Sequence, residues 1–199
     1  MQKEVIGNAT LYLGDCHDVI SEISDVACVV TSPPYNQLDG LNNAPSGMWA
    51  RKGGGAGFVE SWQKNGYADD LDEREYQFQQ HDLFSRIAGV CRENASLFYN
   101  HQLRWRAGNC LHPVQWFQPD FWRLRTEIIW DRGGGMMFNA KMFCRFDERI
   151  LWFVRGKSWK WNQSQVGIGT VWRIGVAQNK EHPVAFPVEM PLRCIMATT

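Results

Sequence analysis

Val29-Val30-Thr31-Ser32-Pro33-Pro34-Tyr35-Asn36 decides the reading of this chain. Apolar residues run from Val26 to Val30 and end in two β-branched valines, the composition of a short buried strand. Pro33 and Pro34 remove two consecutive backbone donors, so sheet pairing stops there. A hydroxyl, a rigid backbone and an aromatic ring are therefore displayed just past the carboxyl end of a strand. In open α/β sheets that edge is where ligands bind. Ser32 and the Pro33 carbonyl can accept hydrogen bonds from an amino group, and Tyr35 can stack on a flat ring. The prolines hold the acceptors still before any reaction begins.

Outward from this stretch, the pattern is that of an α/β chain. Ala9 to Leu13 reads as a strand, Asp15 as the cap of a short helix bearing Val19, Ile20 and Ile23, and Val26–Val30 as the next strand. So tight a strand–helix–strand unit predicts parallel pairing of its two strands. Residues 36–71, with Gly53-Gly54-Gly55-Ala56-Gly57, lack periodicity and predict a long loop that is either functional or disordered, with a flap that orders on substrate as the preferred reading. No strand precedes these glycines and no Lys-Ser/Thr follows, which argues against a nucleotide P-loop. Asp72 and Glu75 have capping-box spacing before a helix over 73–92. Ser96–Tyr99, Glu127–Trp130, Arg149–Val154 and Thr170–Trp172 read as strands. Pro113 opens a short helix with Trp116, Phe117 and Phe121 on one face. The prolines near 183 and 187 make that region irregular.

The 199 residues suffice for one α/β domain, and the sequence is read as a single domain over 1–199. The 21 basic and 21 acidic residues balance, but unevenly along the chain. Residues 1–100 carry a net −7 and residues 101–199 a net +7. The second half is thus expected to present the surface that meets a polyanion. Lys157-Ser158-Trp159-Lys160-Trp161 interleaves basic and aromatic residues, a pattern suited to nucleic acid and equally to an amphipathic edge strand. Ten tryptophans divide between core and a base-stacking surface on this reading. The six cysteines form no CxxC pair, and Cys110 beside His112 lacks the second half of a zinc site, so thiols in a reducing cytoplasm are expected and no metal. No cationic–apolar leader begins the chain, and no apolar run approaches the roughly 20 residues of a membrane span.

Thr31-Ser32-Pro33-Pro34-Tyr35 resembles the (D/N/S)PP(Y/F) tetrad of the DNA amino-methyltransferases that use S-adenosylmethionine. Further stretches agree in the order of the subgroup with the catalytic motif first. Ile128–Arg132 with Arg149–Phe153 resembles the region after the target-binding loop, and Val171-Trp172-Arg173 the segment before the last block. His182-Pro183 with Phe186-Pro187 resembles the cofactor-contacting helix start, and Gly14-Asp15-Cys16 the turn before the catalytic strand. The resemblance spans nearly the whole chain. It implies a Rossmann-like methyltransferase fold with a mostly parallel central sheet. It implies methyl transfer to the exocyclic amino group of a flipped adenine or cytosine in double-stranded DNA.

By that resemblance Ser32, Pro33, Pro34 and Tyr35 are catalytic, Tyr35 acting through its ring face so that phenylalanine would serve. Asp15, Cys16, His182, Pro183, Phe186 and Pro187 would hold the cofactor. Arg51, Lys52, Lys157, Trp159 and Lys160 are the expected DNA contacts. The family's Asp-Pro-Phe-x-Gly-x-Gly segment, expected after His182–Pro187, has no counterpart before Thr199. On this reading the fold is incomplete at its C-terminus, and the incomplete sheet invites self-association. The alternative is an inactive remnant that binds DNA or protein.

Overall fold

The computed structural model describes residues 1–36, 71–106, 108–134, 143–177 and 185–199. The expected flap over 36–71 therefore lies almost wholly outside the described residues, as do Arg51, Lys52, His182 and Pro183.

The strand expected from its valines is β3, Val26–Thr31. It follows a hairpin of β1 (Gln2–Ile6) and β2 (Ala9–Leu13) and a single turn, α1, over Cys16–Val19. The long helix α2 spans Glu73–Val90 and leads directly into β4, Cys91–His101. A small hairpin follows, β5 (Arg104–Arg106) with β6 (Asn109–Leu111), then a second single turn, α3, over Pro113–Trp116. The chain continues through β7 (Trp122–Asp131), β8 (Asp147–Arg155) and β9 (Val171–Arg173), and ends in α4, Glu189–Thr198.

Five strands form the central sheet in the order β3-β4-β8-β7-β9. The β3/β4 and β7/β9 pairs are parallel, and the β4/β8 and β7/β8 pairs antiparallel. The sheet is thus mixed, where a mostly parallel one was expected: β8 lies between β4 and β7 and runs antiparallel to both. The expected parallel pairing of Ala9–Leu13 with β3 is also corrected. β2 instead pairs antiparallel with β1 in a separate two-stranded sheet, because Gly7 at φ +58° turns the chain back before it reaches the main sheet.

Apolar runs in β4 and β8 reflect burial on both faces. Leu97, Tyr99, Leu151 and Phe153 point to one side, where Tyr76, Phe84 and Ala88 of α2 meet Trp116, Phe117 and Trp122. Phe98, Ile150, Trp152 and Val154 point to the other, against Ile128, Trp130, Trp172 and, from α4, Met190 and Cys194. The result is a three-layer helix–sheet–helix arrangement. The expected boundaries shift in the direction of more strand: Ser96–Tyr99 lengthens to Cys91–His101 and Glu127–Trp130 to Trp122–Asp131. The helix after Pro113 shrinks to one turn, and Phe121, expected on its apolar face, is 70% exposed at φ +70°.

Most of the described tryptophans are core rather than surface. Trp122, Trp130, Trp152 and Trp172 are buried, and their indole N–H groups donate to the Phe84 carbonyl, the Ile174 carbonyl, Ser96 Oγ and the Gly169 carbonyl. Cys91 and Cys194 are buried thiols, both pushed up in pKa by burial, Cys91 to about 11. No helix among the described residues is long and apolar enough to cross a membrane.

Gly156 ends β8 at φ +69°, and a Cβ there would stand 2.6 Å from the Glu93 carbonyl oxygen. Both the backbone conformation and the close approach require glycine. Gly156→Ala is expected to destabilise the fold by about 1–3 kcal/mol, read from the urea midpoint, with no change of slope.

Candidate active site

The prolines stop β3 at Thr31, so Ser32 stands at its carboxyl end, level with the end of β4, where Thr31 pairs with Tyr99. β8 runs antiparallel to β4, so its first residues arrive at the same edge: Arg149 pairs with His101 and Ile150 with Asn100. β7 ends there too, with Trp130 opposite Glu148 and Asp131 opposite Asp147. The first turn of α2 brings Tyr76. One edge of the sheet therefore gathers Ser32, Tyr35, Tyr76, Asn100, His101, Arg132 and Glu148.

These groups form a connected network. Ser32 Oγ lies 2.7 Å from the Tyr35 hydroxyl, and that hydroxyl donates to Glu148 Oε2 at 2.9 Å. Asn100 Nδ2 donates to the same oxygen at 3.0 Å, and Arg132 pairs with Glu148 Oε1 at 3.0 Å. Glu148 is only 7% exposed, and these donors supply what a buried carboxylate needs. The Tyr35 ring rests against His101, with centroids 4.7 Å apart and planes tilted by 38°. The Tyr76 hydroxyl donates to the Pro34 carbonyl at 2.7 Å and stands 2.9 Å from His101 Nε2, tying helix α2 to the proline pair. Asn36 closes the turn at φ +54°: its Nδ2 donates to the Leu71 carbonyl, and its own carbonyl accepts from Arg106. Arg104, itself buried, clasps Glu73 with both terminal nitrogens at 2.6 and 2.8 Å, which fixes the start of α2.

His101 is fully buried. Burial, and then the Arg104 guanidinium, hold its pKa down from the ordinary 6.5 to about 3. The ring in the folded protein is expected to stay neutral while an unfolded one would protonate near 6.5. Between those values the unfolded state binds the extra proton, so this group subtracts stability as pH falls from about 6.5 towards 3. Proton-detected imidazole resonances should show no titration of His101 between pH 8 and pH 4; a midpoint near 6 would refute its burial.

The expected site residues are distributed unevenly. Ser32, Pro33, Pro34 and Tyr35 lie together at the sheet edge. The Tyr35 hydroxyl is itself bonded to Ser32 and Glu148, an engagement that the ring-face expectation did not include. Asp15 caps α1 by accepting from the His17 amide at 2.8 Å, and His17 meets Arg86. Arg86 is ten residues from Tyr76, roughly 15 Å along α2, so Asp15 and Cys16 flank the far half of that helix. Asp15, Cys16 and His17 form the one His/Cys/Asp/Glu group among the described residues close enough to hold a metal. Its Asp15 is already the helix cap. Phe186 packs on the α4 side of the core, and the Pro187 carbonyl accepts from the Met190 amide at the start of α4.

Lys157, Trp159 and Lys160 follow the far end of β8, nine residues and roughly 25 Å from the tetrad edge. Trp159 sits edge-on to Trp152 at 6.5 Å with the Arg125 guanidinium 4.8 Å over its ring, and residues 157–161 form no strand, so the edge strand that the stretch equally predicted is not there. Basic groups at the tetrad edge include Arg104, Arg106, Arg132, Arg149 and Arg173, whose side chain is 86% exposed, all from the second half of the chain.

Sequence reasoning missed Glu148, Asn100, His101 and Tyr76. A signal existed for the first three: polar residues placed at the ends of fully apolar strands, Asp147-Glu148-Arg149 before Ile150–Val154 and Asn100-His101 after Leu97–Tyr99. Tyr76 was indistinguishable from an apolar helix position.

Solved structures share this architecture. The PvuII DNA methyltransferase (cytosine-N4-specific) superposes with a TM-score of 0.64 at 13% identity, over 94% of this chain and 69% of that one. The M1.HpyAVI–SAM complex gives 0.58 at 14%, over 94% and 76%. TTHA0409 of Thermus thermophilus, complexed with S-adenosyl-L-methionine, gives 0.50 at 16%, over 94% and 73%. At such identities the likeness is one of fold. No protein of curated function matches the chain by sequence. The family model described as DNA methylase, however, matches residues 26–199, from the first residue of β3 through the whole network at the sheet edge, and the chain therefore belongs to the DNA methylase family.

Proposed function

We propose that the protein transfers a methyl group from S-adenosylmethionine to the exocyclic amino group of an adenine or cytosine in double-stranded DNA. The observation that carries this reading is Ser32-Pro33-Pro34-Tyr35 fixed at the carboxyl edge of β3. There a hydroxyl and a carbonyl are presented beside an aromatic ring backed by His101. The target nitrogen is conjugated with its ring and is a poor nucleophile. Ser32 Oγ and the Pro33 carbonyl accept its hydrogens and turn its lone pair outward. The base must leave the duplex to reach them, which costs a few kcal/mol. Stacking on Tyr35 offsets about 1–3 kcal/mol of that.

The cofactor supplies the electrophilic methyl group. Asn100 Oδ1, buried at this edge, has no hydrogen-bond partner among the described residues. An unsatisfied buried acceptor costs about 1–3 kcal/mol, and a ligand N–H group, from cofactor or base, would relieve it. Phe186 and Pro187, at the start of α4, are the described residues proposed to flank the cofactor, with His182 and Pro183 beside them in sequence. Arg173 is the exposed cation best placed to meet backbone phosphate. The outer edge of β3 carries no strand among the described residues, and an open edge supports association with a second chain.

Incubation with methyl-labelled S-adenosylmethionine and duplex DNA tests the proposal. Label entering DNA, and lost with Ser32→Ala, supports it. DNA binding without incorporation would favour a binding module instead.

A further inference from the structure

We propose that Glu148 is the terminal proton acceptor of the transfer reaction, reached through the hydroxyls of Ser32 and Tyr35. The inference rests on the methyl-transfer reading and adds the destination of the proton that the reaction must release.

The argument is one of proton counting. A tyrosine hydroxyl has one proton to donate. That of Tyr35 goes to Glu148 Oε2 at 2.9 Å. The 2.7 Å contact between Ser32 Oγ and the Tyr35 oxygen must therefore be made with the serine proton. Every donor in the chain then points the same way, Ser32 to Tyr35 to Glu148. Ser32 Oγ then keeps its lone pairs to accept a hydrogen from the target amino group. A chain of hydrogen bonds ending on a charge polarises each member, so the serine oxygen becomes a better acceptor than an isolated hydroxyl.

The far end is built to take the proton. Glu148 is 7% exposed, receives Asn100 Nδ2 on the oxygen that also meets Tyr35, and faces Arg132 with its other oxygen. Tyr35 is the link from the active edge. The remaining charged or titratable groups nearby are Asp131 from β7, His101 from β4, and Asp147 and Arg149 from its own strand.

In the step, the target nitrogen forms its bond to the methyl carbon as the carbon–sulfur bond breaks and its electron pair stays on sulfur. A proton leaves that nitrogen for Ser32 Oγ, the serine proton passes to the Tyr35 oxygen, and the tyrosine proton passes to Glu148 Oε2. The products are a neutral methylamino base, a neutral thioether and a protonated Glu148, with serine and tyrosine regenerated. The sulfonium's positive charge and the Glu148 negative charge disappear together, so total charge balances, and the Arg132 guanidinium then faces a neutral carboxyl. Tyr35 and Glu148 thus act through Ser32 as positioning and proton-accepting residues, where the sequence pointed only to a stacking ring.

The test is the single-turnover transfer rate against pH, measured for the wild-type protein, Glu148→Gln, Tyr35→Phe and the double variant with saturating S-adenosylmethionine and duplex DNA. Glutamine keeps the size of the side chain and can accept from Tyr35, but cannot take the proton. The expected wild-type rate falls on the acid side of its profile, because the chain needs an unprotonated carboxylate at its end. Glu148→Gln should be at least 100-fold slower at pH 8 and should lose that acid limb. Tyr35→Phe, which leaves the Asn100 and Arg132 contacts of Glu148 intact, should lose the limb as well. The double variant should be no slower than the slower single one, because both break the same chain.

The inference is overturned if either single variant keeps the wild-type rate, if either slows yet retains the acid limb, or if the two losses multiply. Should Glu148→Gln fail to fold, Tyr35→Phe alone decides by the same criteria. A wild-type protein that transfers no methyl group at any pH overturns the functional reading, and the inference with it. A transferring wild type with an unaffected Glu148→Gln overturns the inference alone.

Discussion

Ser32→Ala is expected to slow methyl transfer on the order of 10²–10³-fold while leaving affinity for duplex DNA within about twofold. The rate effect follows from position. Ser32 Oγ is the oxygen at the head of the hydrogen-bond chain to Glu148, and it acts on the target nitrogen as charge develops there. The affinity should hold because phosphate contacts supply most of DNA binding and a tetrad hydroxyl contributes little to them. The fold should hold as well, since the Tyr35 hydroxyl keeps Glu148 and the Tyr35 ring keeps His101. Single-turnover rates at saturating DNA, set beside equilibrium binding, separate the two quantities. Parallel loss of both would assign Ser32 a structural role only.

Phe117→Ala is expected to cost about 3–5 kcal/mol of folding stability, a large share of a typical total. Phe117 is 1% exposed. It stacks on Tyr99 with centroids 3.7 Å apart, and meets Phe84 and Phe153 edge-on. Alanine would leave a cavity between α2 and the sheet that these rigid rings cannot close. Phe121→Ala, four residues on and 70% exposed, should fall within about 0.5 kcal/mol of the parent. Urea midpoints of the two variants measured together decide the matter. Similar losses in both would mean that Phe121 is packed as the spacing after Pro113 predicted and that the exposed conformation is wrong.

That contrast shows where sequence reasoning was strong and where it ran out. Val26–Val30 and Arg149–Val154 were legible as strands because both faces of each are covered, so apolar character is unbroken. The N-cap at Asp72 was legible because its side chain is local: it accepts from the amides of Arg74 and Glu75. Its partner in the expected capping box was not, since Glu75 takes Gln79 instead. Pairing partners were the weak point. Nothing within Ala9–Leu13 says that Gln2–Ile6 will capture it, and nothing local distinguishes a parallel neighbour from an antiparallel one. The tetrad was visible because prolines and a β-branched strand are local signals. Its support was not, because Glu148 lies 113 residues from Tyr35 and comes near it only through the β4/β8 and β7/β8 registers. The Lys157–Trp161 stretch shows that placement was not legible either: its composition suits nucleic acid, and β8 carries it to the edge away from Ser32.

The central claim is that the edge holding Ser32-Pro33-Pro34-Tyr35 methylates an exocyclic amino nitrogen in DNA. The most direct measurement is mass spectrometry of nucleosides released from duplex DNA after incubation with the protein and methyl-labelled S-adenosylmethionine. The account predicts label in N6-methyladenine or N4-methylcytosine, absent with Ser32→Ala. Label on a ring carbon of cytosine, or label at an amino nitrogen that survives Ser32→Ala undiminished, would contradict it.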